Sequence, residues 1–166
     1  MKFQRGLAVA ALVLSMGAMA RPSGRTIYPD PGQAHADIAA ALKAAAQAHK
    51  RVLLDFGGNW CGDCIVLDMY FHNEHNRPLL EGNFVLVHVN VGHLDTNLDI
   101  AEKYQVPVTH GVPEVAVLSE TGKLLYSSRT KELELAVQRS DAEAVTRFLV
   151  QWKAGKPGCS VVAVDC

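Results

Sequence analysis

Two cysteines separated by two residues, Cys61 and Cys64, are the side chains of this sequence best suited to chemistry. A cysteine thiolate is a strong nucleophile, and two thiols at this spacing can close a disulfide with each other. The sequence therefore predicts a redox-active dithiol, in which Cys61 attacks the disulfide of another protein and Cys64 resolves the mixed disulfide. Two other interpretations stay open: half of a zinc site, which needs two further ligands, and an inert structural disulfide.

The segments on either side of the cysteines indicate how they are held. The apolar run Arg51–Phe56 ends at two glycines, which predicts a buried strand followed by a tight connection. The apolar residues of Ile65–Tyr70 continue without a helix breaker. Cys61 should therefore lie at the first turn of a helix, where unpaired backbone N–H groups and a partial positive charge stabilise a thiolate.

The rest of the chain predicts helices that alternate with strands. Asp37 and Asp141 stand where capping residues are expected at the beginning of two helices. Predicted helices cover residues 37–50, 97–104 and 141–152, and predicted strands cover residues 84–91, 115–118 and 123–126. This order predicts an α/β fold with a mixed central sheet that ends in a hairpin and has helices on both faces.

Three motifs, in this order, resemble the thioredoxin superfamily across about residues 36–152. They are Leu53-Leu54-Asp55-Phe56 in the first strand, Trp60-Cys61-Gly62-Asp63-Cys64 at the helix, and Gly111-Val112-Pro113 before a later strand. The segment from Trp60 to Val87 is similar to the thioredoxin-like domain at the periplasmic C-terminal end of the DsbD reductant transporter. The resemblance implies a thioredoxin fold and thiol–disulfide oxidoreductase activity that needs no organic cofactor.

The resemblance also implies roles for individual residues. Asp55 matches the family's buried carboxylate, which assists proton transfer at the inner cysteine. Pro113 matches the cis-proline that, with Val112 before it, contacts the substrate chain, and Trp60 matches the aromatic residue beside the nucleophile. Without the resemblance, Pro113 would be expected to be a trans proline that opens a strand. A carboxylate in an apolar strand must be paired or protonated, which suits Asp55 to proton exchange, although an Asp at this place can also cap a turn or reach solvent.

Several residues depart from the family pattern. Asp63 stands where thioredoxins commonly have proline, and its charge should oppose formation of the Cys61 thiolate. We therefore expect a reducing or intermediate potential rather than an oxidising one. Glu114 and His110 flank the Gly111–Pro113 motif and can alter the docking surface, whereas His88, where thioredoxins often have lysine, is expected to be an ordinary strand histidine.

The remaining cysteines and histidines suggest further hypotheses. Cys159 and Cys166 are predicted to form a structural disulfide, with a second redox relay or an intermolecular link as alternatives. His72 and His75 are expected to lie on a solvated loop rather than to bind metal, and no metal is predicted. The rival function is a non-catalytic thioredoxin-like binding module, for example a copper metallochaperone that binds the metal through Cys61, Cys64 and His110.

The N-terminal residues predict export. Lys2 and Arg5 precede a short apolar stretch, and Ala18-Met19-Ala20 fits a cleavage site for a signal peptide, which would place the mature protein in the bacterial periplasm. A retained N-terminal anchor is the alternative interpretation. The predicted organisation is a signal peptide at 1–20, an irregular lead-in at 21–35, a thioredoxin-like domain at 36–153 and a tail at 154–166. The formal net charge of −1 gives no indication of a nucleic-acid partner. Expected partners are disulfide-containing proteins and a membrane electron donor, and the protein is expected to be a monomer.

Overall fold

A four-stranded mixed sheet forms the centre of the protein. The computed structural model describes residues 26–129 and 131–155. The predicted signal peptide, Cys159 and Cys166 lie outside these residues. The strands are β1 (Arg51–Gly57), β2 (Phe84–Asn90), β3 (Glu114–Leu118) and β4 (Leu124–Ser127), in the spatial order β2-β1-β3-β4. β1 runs parallel to β2 and antiparallel to β3, which forms a hairpin with β4. The predicted fold class is confirmed.

In the described residues, six α-helices surround the sheet: α1 (Ala34–Ala48), α2 (Gly62–Phe71), α3 (Arg77–Asn83), α4 (Leu98–Lys103), α5 (Glu132–Gln138) and α6 (Ala142–Trp152). Short 3-10 turns precede α1 and β3, at Pro31–Gln33 and Val108–His110. None of the helices in the described ranges is long and apolar enough to cross a membrane.

Two helices were not predicted, and a third begins at a different residue from the predicted one. The sequence did not predict α3 or α5, each of which has seven residues, too few to show a helical period. The prediction that Asp37 caps α1 is wrong, because α1 begins at Ala34 and Asp37 lies in its first turn. The preceding 3-10 turn is capped instead by Asp30, whose carboxylate accepts the Gly32 N–H at 2.8 Å.

The two faces of the sheet carry separate cores, and alternate residues of β1 point into each. Leu54 and Phe56 pack against α1 and α4 on one face, whereas Leu53 packs against α2, α5 and α6 on the other. Asp55 shares the second face with Leu53, because side chains two apart on a strand point to the same side. The sheet thus directs Asp55 toward the helix that carries the cysteines.

Candidate active site

The Cys61–Cys64 pair lies at the N-terminus of α2. The two Sγ atoms are joined in a disulfide. Cys61 is the N-cap residue, with an extended backbone, and its Sγ accepts a hydrogen bond from the Cys64 N–H at 3.1 Å. Cys61 retains 5 % of its surface in contact with solvent, whereas Cys64 is fully buried. The outer sulfur is therefore the one that a substrate can reach, and the helix N-terminus favours its negative charge when the disulfide is reduced.

The loop before β3 packs against this pair. The Val112–Pro113 peptide bond is cis, the isomer that the resemblance implies. The Val112 carbonyl oxygen lies 3.8 Å from the Cys61 Sγ, and the Val112 side chain packs against the cysteines. Gly111 has a φ of 135°, which other residues rarely adopt, so it allows the chain to turn directly before this contact. The loop thus places backbone polar groups beside the reactive sulfur.

Trp60 forms an exposed rim next to Cys61. Its side chain is 49 % exposed, and its indole N–H donates a hydrogen bond to the Gly92 carbonyl. The ring also stacks on His93, with centroids 5.4 Å apart. These contacts fix the orientation of a large apolar surface that a protein substrate can cover.

Asp55 is completely buried behind the pair and carries two hydrogen bonds on the same oxygen. Its Oδ2 accepts the Tyr28 hydroxyl at 2.7 Å and lies 2.9 Å from the His88 Nδ1. Its Oδ1 is buried and has no hydrogen-bond partner among the described residues. The alternative that Asp55 caps a turn or reaches solvent is therefore wrong.

Tyr28 is a site residue that sequence reasoning missed, because it lies in the Pro- and Gly-rich lead-in. Its side chain is 1 % exposed and packs against both cysteines. The Tyr28 hydroxyl oxygen and the Cys64 Sγ both border the space that a side chain at position 57 would fill. A Cβ added at Gly57 would lie 2.5 Å from the oxygen and 2.8 Å from the sulfur. Burial, followed by the neighbouring charge of Asp55, raises the pKa of Tyr28 well above its usual range, and the hydroxyl therefore keeps its proton.

His88 was predicted to be an ordinary strand histidine, but its ring lies close to two carboxylates. It is the parallel-register partner of Asp55, and this pairing aims its ring at the carboxylate. Its Nε2 lies 3.5 Å from Oδ1 of Asp68, a nearly buried residue of α2. That same oxygen lies 3.0 Å from the Nδ1 of His72, which caps the end of α2. His75, by contrast, is exposed.

Glu114 follows the cis-proline and is buried, with 1 % of its surface exposed. The Ser128 hydroxyl donates a hydrogen bond to its Oε2. Burial raises the pKa of Glu114 to about 7, although the Ser128 hydrogen bond and the positive charge of Lys131 act in the opposite direction. The residue that follows the cis-proline therefore titrates in the physiological range.

Two other predicted site residues, Asp63 and His110, are at least partly exposed. Asp63 is partly exposed in the first turn of α2. His110 is exposed at the end of a 3-10 turn. Within residues 26–129 and 131–155, no three His, Cys, Asp or Glu side chains converge on a point that could hold a metal ion.

Comparison with known proteins agrees with this geometry. The sequence model of the family described as thioredoxin-like matches residues 33–119, more than half of the chain. The protein therefore belongs to the thioredoxin-like family, whose members are thiol–disulfide oxidoreductases.

Individual relatives resemble it to different degrees. A disulphide isomerase from Xylella fastidiosa Temecula1 superimposes with a TM-score of 0.71 at 31 % identity, covering 78 % of this chain and 98 % of that one. Thioredoxin-3 of Dictyostelium discoideum is 31 % identical over 72 residues, which are 43 % of this chain and 66 % of the relative. The oxidised C-terminal domain of Neisseria meningitidis DsbD gives a TM-score of 0.41 at 23 % identity, over 67 % of this chain and 97 % of that domain.

Proposed function

We propose that this protein is an exported, periplasmic thiol–disulfide oxidoreductase that reduces disulfides in other proteins. The observation that carries the proposal is the position of the Cys61 sulfur, which caps a helix N-terminus and faces the cis-proline loop. Cys61 is the nucleophile, because it is the more accessible sulfur, and the buried Cys64 is the resolving cysteine. Trp60, Val112 and Pro113 form the surface on which the substrate chain docks.

The reaction begins with the reduced protein. The Cys61 thiolate attacks a substrate disulfide, so that a Cys61–substrate bond forms and one substrate sulfur leaves as a thiolate. Cys64 then loses its proton and attacks the Cys61 sulfur, which closes the Cys61–Cys64 disulfide and releases the second substrate sulfur. Two electrons pass to the substrate, whose two sulfurs leave as thiolates and take up protons from water. Asp55 accepts the proton of Cys64, with the Tyr28 hydroxyl between the two groups.

The direction of electron flow follows from the charge around the pair. Asp63 lies in the first turn of α2, where its carboxylate opposes the build-up of negative charge on Cys61. Strong oxidants owe their potential to a stabilised reduced form, so this charge favours a reductant. Electrons must then come from a dithiol donor, which we propose to be a membrane-embedded transporter of reductant. The protein is proposed to act as a monomer.

A test of this function compares three variants in a protein-disulfide reduction assay with dithiothreitol as the electron source. Cys61→Ser should abolish catalysis, and Cys64→Ser should accumulate mixed disulfides that mass spectrometry detects. The double variant Cys159→Ser/Cys166→Ser is the matched control and should keep the activity. Full activity of Cys61→Ser would refute the proposal. Tight Cu(I) binding by a parent protein that shows no reductase activity would support a metallochaperone instead.

Disulfide isomerisation is a second candidate, favoured by the similarity to the Xylella protein described as a disulphide isomerase. An isomerase releases Cys61 by attack of a thiol of the substrate itself, so that Cys64 is not needed and no net electrons pass. Scrambled ribonuclease separates the two functions. If isomerisation is the main activity, the Cys64→Ser variant will restore the activity of scrambled ribonuclease at close to the rate of the parent protein. If reduction is the main activity, the same variant will lose its turnover.

A further inference from the structure

A continuous line of titratable side chains leads from the buried Asp55 to the protein surface. Asp55 Oδ2 and His88 Nδ1 are 2.9 Å apart, His88 Nε2 and Asp68 Oδ1 are 3.5 Å apart, and Asp68 Oδ1 and His72 Nδ1 are 3.0 Å apart. Side-chain exposure is 0 % at Asp55, 17 % at His88, 3 % at Asp68 and 32 % at His72, so the last residue of the line is the most exposed. The line therefore joins the interior to solvent.

The fold builds this line from two elements. Register between the parallel strands β1 and β2 places His88 beside Asp55. Asp68 follows Cys64 by one helical turn on the inner side of α2, and His72 follows Asp68 by another turn. The helix that carries the resolving cysteine therefore also carries the outer end of the line.

We propose that His88, Asp68 and His72 form a proton path that connects Asp55, and through it Cys64, with solvent. The proposal rests on the function proposed above. When Cys64 attacks the mixed disulfide, its proton passes to Asp55. Asp55 transfers a proton to the His88 Nδ1, His88 releases one from Nε2 to Asp68, and Asp68 passes one to His72, which releases it to water. No electrons move along the path, and one proton leaves for each Cys64 that becomes part of a disulfide.

The path also works in reverse when the disulfide is reduced again. An imidazole that accepts a proton on one nitrogen and releases one from the other ends as the opposite tautomer. Inward transfer during re-reduction restores the first tautomer, so that the His88 ring need not rotate between turnovers. In the proposed path His88, Asp68 and His72 act through Asp55, which makes them positioning residues for its proton.

Two other titratable groups lie near His88. The Tyr28 ring packs edge-on against the His88 ring at 5.1 Å, and its hydroxyl is directed at Asp55. Asp37 of α1 and His88 line the same open groove, of about 510 Å³. Asp68 and His72 extend the line from His88 to its most exposed side chain.

A two-step chromophore assay tests the path in full-length protein with Cys159 and Cys166 replaced by serine. Reduced protein is mixed with dithiobis(nitrobenzoate), which releases one thionitrobenzoate when Cys61 attacks and a second when Cys64 closes the disulfide. His72→Ala should leave the first release unchanged and slow the second by about tenfold or more, since general acid–base groups contribute at least that much. Added imidazole should restore the second release, because a small base can replace an exposed side chain.

Two further variants complete the test. His75→Ala changes an exposed histidine near His72 and should behave as the parent protein does. His88→Gln should slow the second release without rescue by imidazole, because its ring is largely enclosed. A second release unaffected in His72→Ala, or slowed without rescue, overturns the path. If instead the parent protein and Cys61→Ser give the same first release, the proposed function itself has failed.

Discussion

Replacing Glu114 with glutamine should make the stability of the protein less dependent on pH. Glu114 is buried beside the cis-proline, and Ser128 donates a hydrogen bond to one of its carboxyl oxygens. Burial raises its pKa from 4.5 to about 7. Glutamine has nearly the same shape and retains a carbonyl oxygen that can accept the Ser128 hydrogen bond, but it cannot ionise.

The size and sign of the effect follow from linkage. Below pH 4.5 the carboxyl group is protonated in both the folded and the unfolded protein. Between pH 4.5 and 7 the unfolded chain ionises first, so that each rise in pH favours unfolding. Above pH 7 the group is charged in both states, and the folded protein has lost about 3 kcal/mol relative to acidic conditions. The loss is therefore spread over the range from pH 4.5 to 7 and is complete near pH 8.

Urea unfolding of the oxidised protein at pH 5, 6, 7 and 8 measures this contribution. We expect the free energy of unfolding of Glu114→Gln to decline less than that of the parent protein over this range. The variant should be the more stable protein at pH 8, by up to about 3 kcal/mol. Glu74→Gln, a change at an exposed residue, is the matched control and should follow the parent curve. Parallel curves for Glu114→Gln and the parent protein would refute the assignment of a raised pKa to Glu114.

Three other predictions concern the redox centre. Tyr28→Phe should lower the free energy of unfolding by about 1–3 kcal/mol in urea titrations, because a buried carboxylate loses a hydrogen bond, and stability equal to the parent's would argue against that bond. The reduction potential of the active-site disulfide should lie nearer to about −270 mV than to −120 mV in a glutathione series, and Asp63→Asn should shift it upward; a parent value near −120 mV would contradict a reducing role. Trp60→Ala should raise KM for a protein substrate more than for a small disulfide, whereas equal effects would exclude a docking role for the exposed indole.

Local sequence patterns were sufficient for the elements that are long or strongly apolar. The α6 helix begins where its cap predicts, since the Asp141 carboxylate accepts the Ala144 N–H at 3.0 Å, and its apolar residues recur at helical spacing. The strand β2 was evident from its β-branched residues. The short helices α3 and α5 lack both signals, because seven residues make only two turns and neither helix has a side-chain cap.

The polar network behind the cysteines depends on contacts between distant parts of the chain. Tyr28 is 27 residues from Asp55 and His88 is 33 residues from it, so no local pattern marks either pair. Tyr28 was hidden further by the prolines and glycines around it, which indicate only an irregular segment. Asp68 could have been found, because its position one turn after Cys64 places both residues on the buried side of α2.

The same geometry explains why the histidine at position 88 matters more than its strand suggests. A lysine there would present a single charged nitrogen to Asp55, whereas an imidazole has two nitrogens and can contact carboxylates on opposite sides of its ring. The second contact, to Asp68, is available because α2 covers the face of the sheet on which Asp55 and His88 lie side by side. His88, which departs from the family pattern, and the Asp68 carboxylate on α2 therefore belong to one network. His88→Lys should retain the contact with Asp55 and should break the connection to His72.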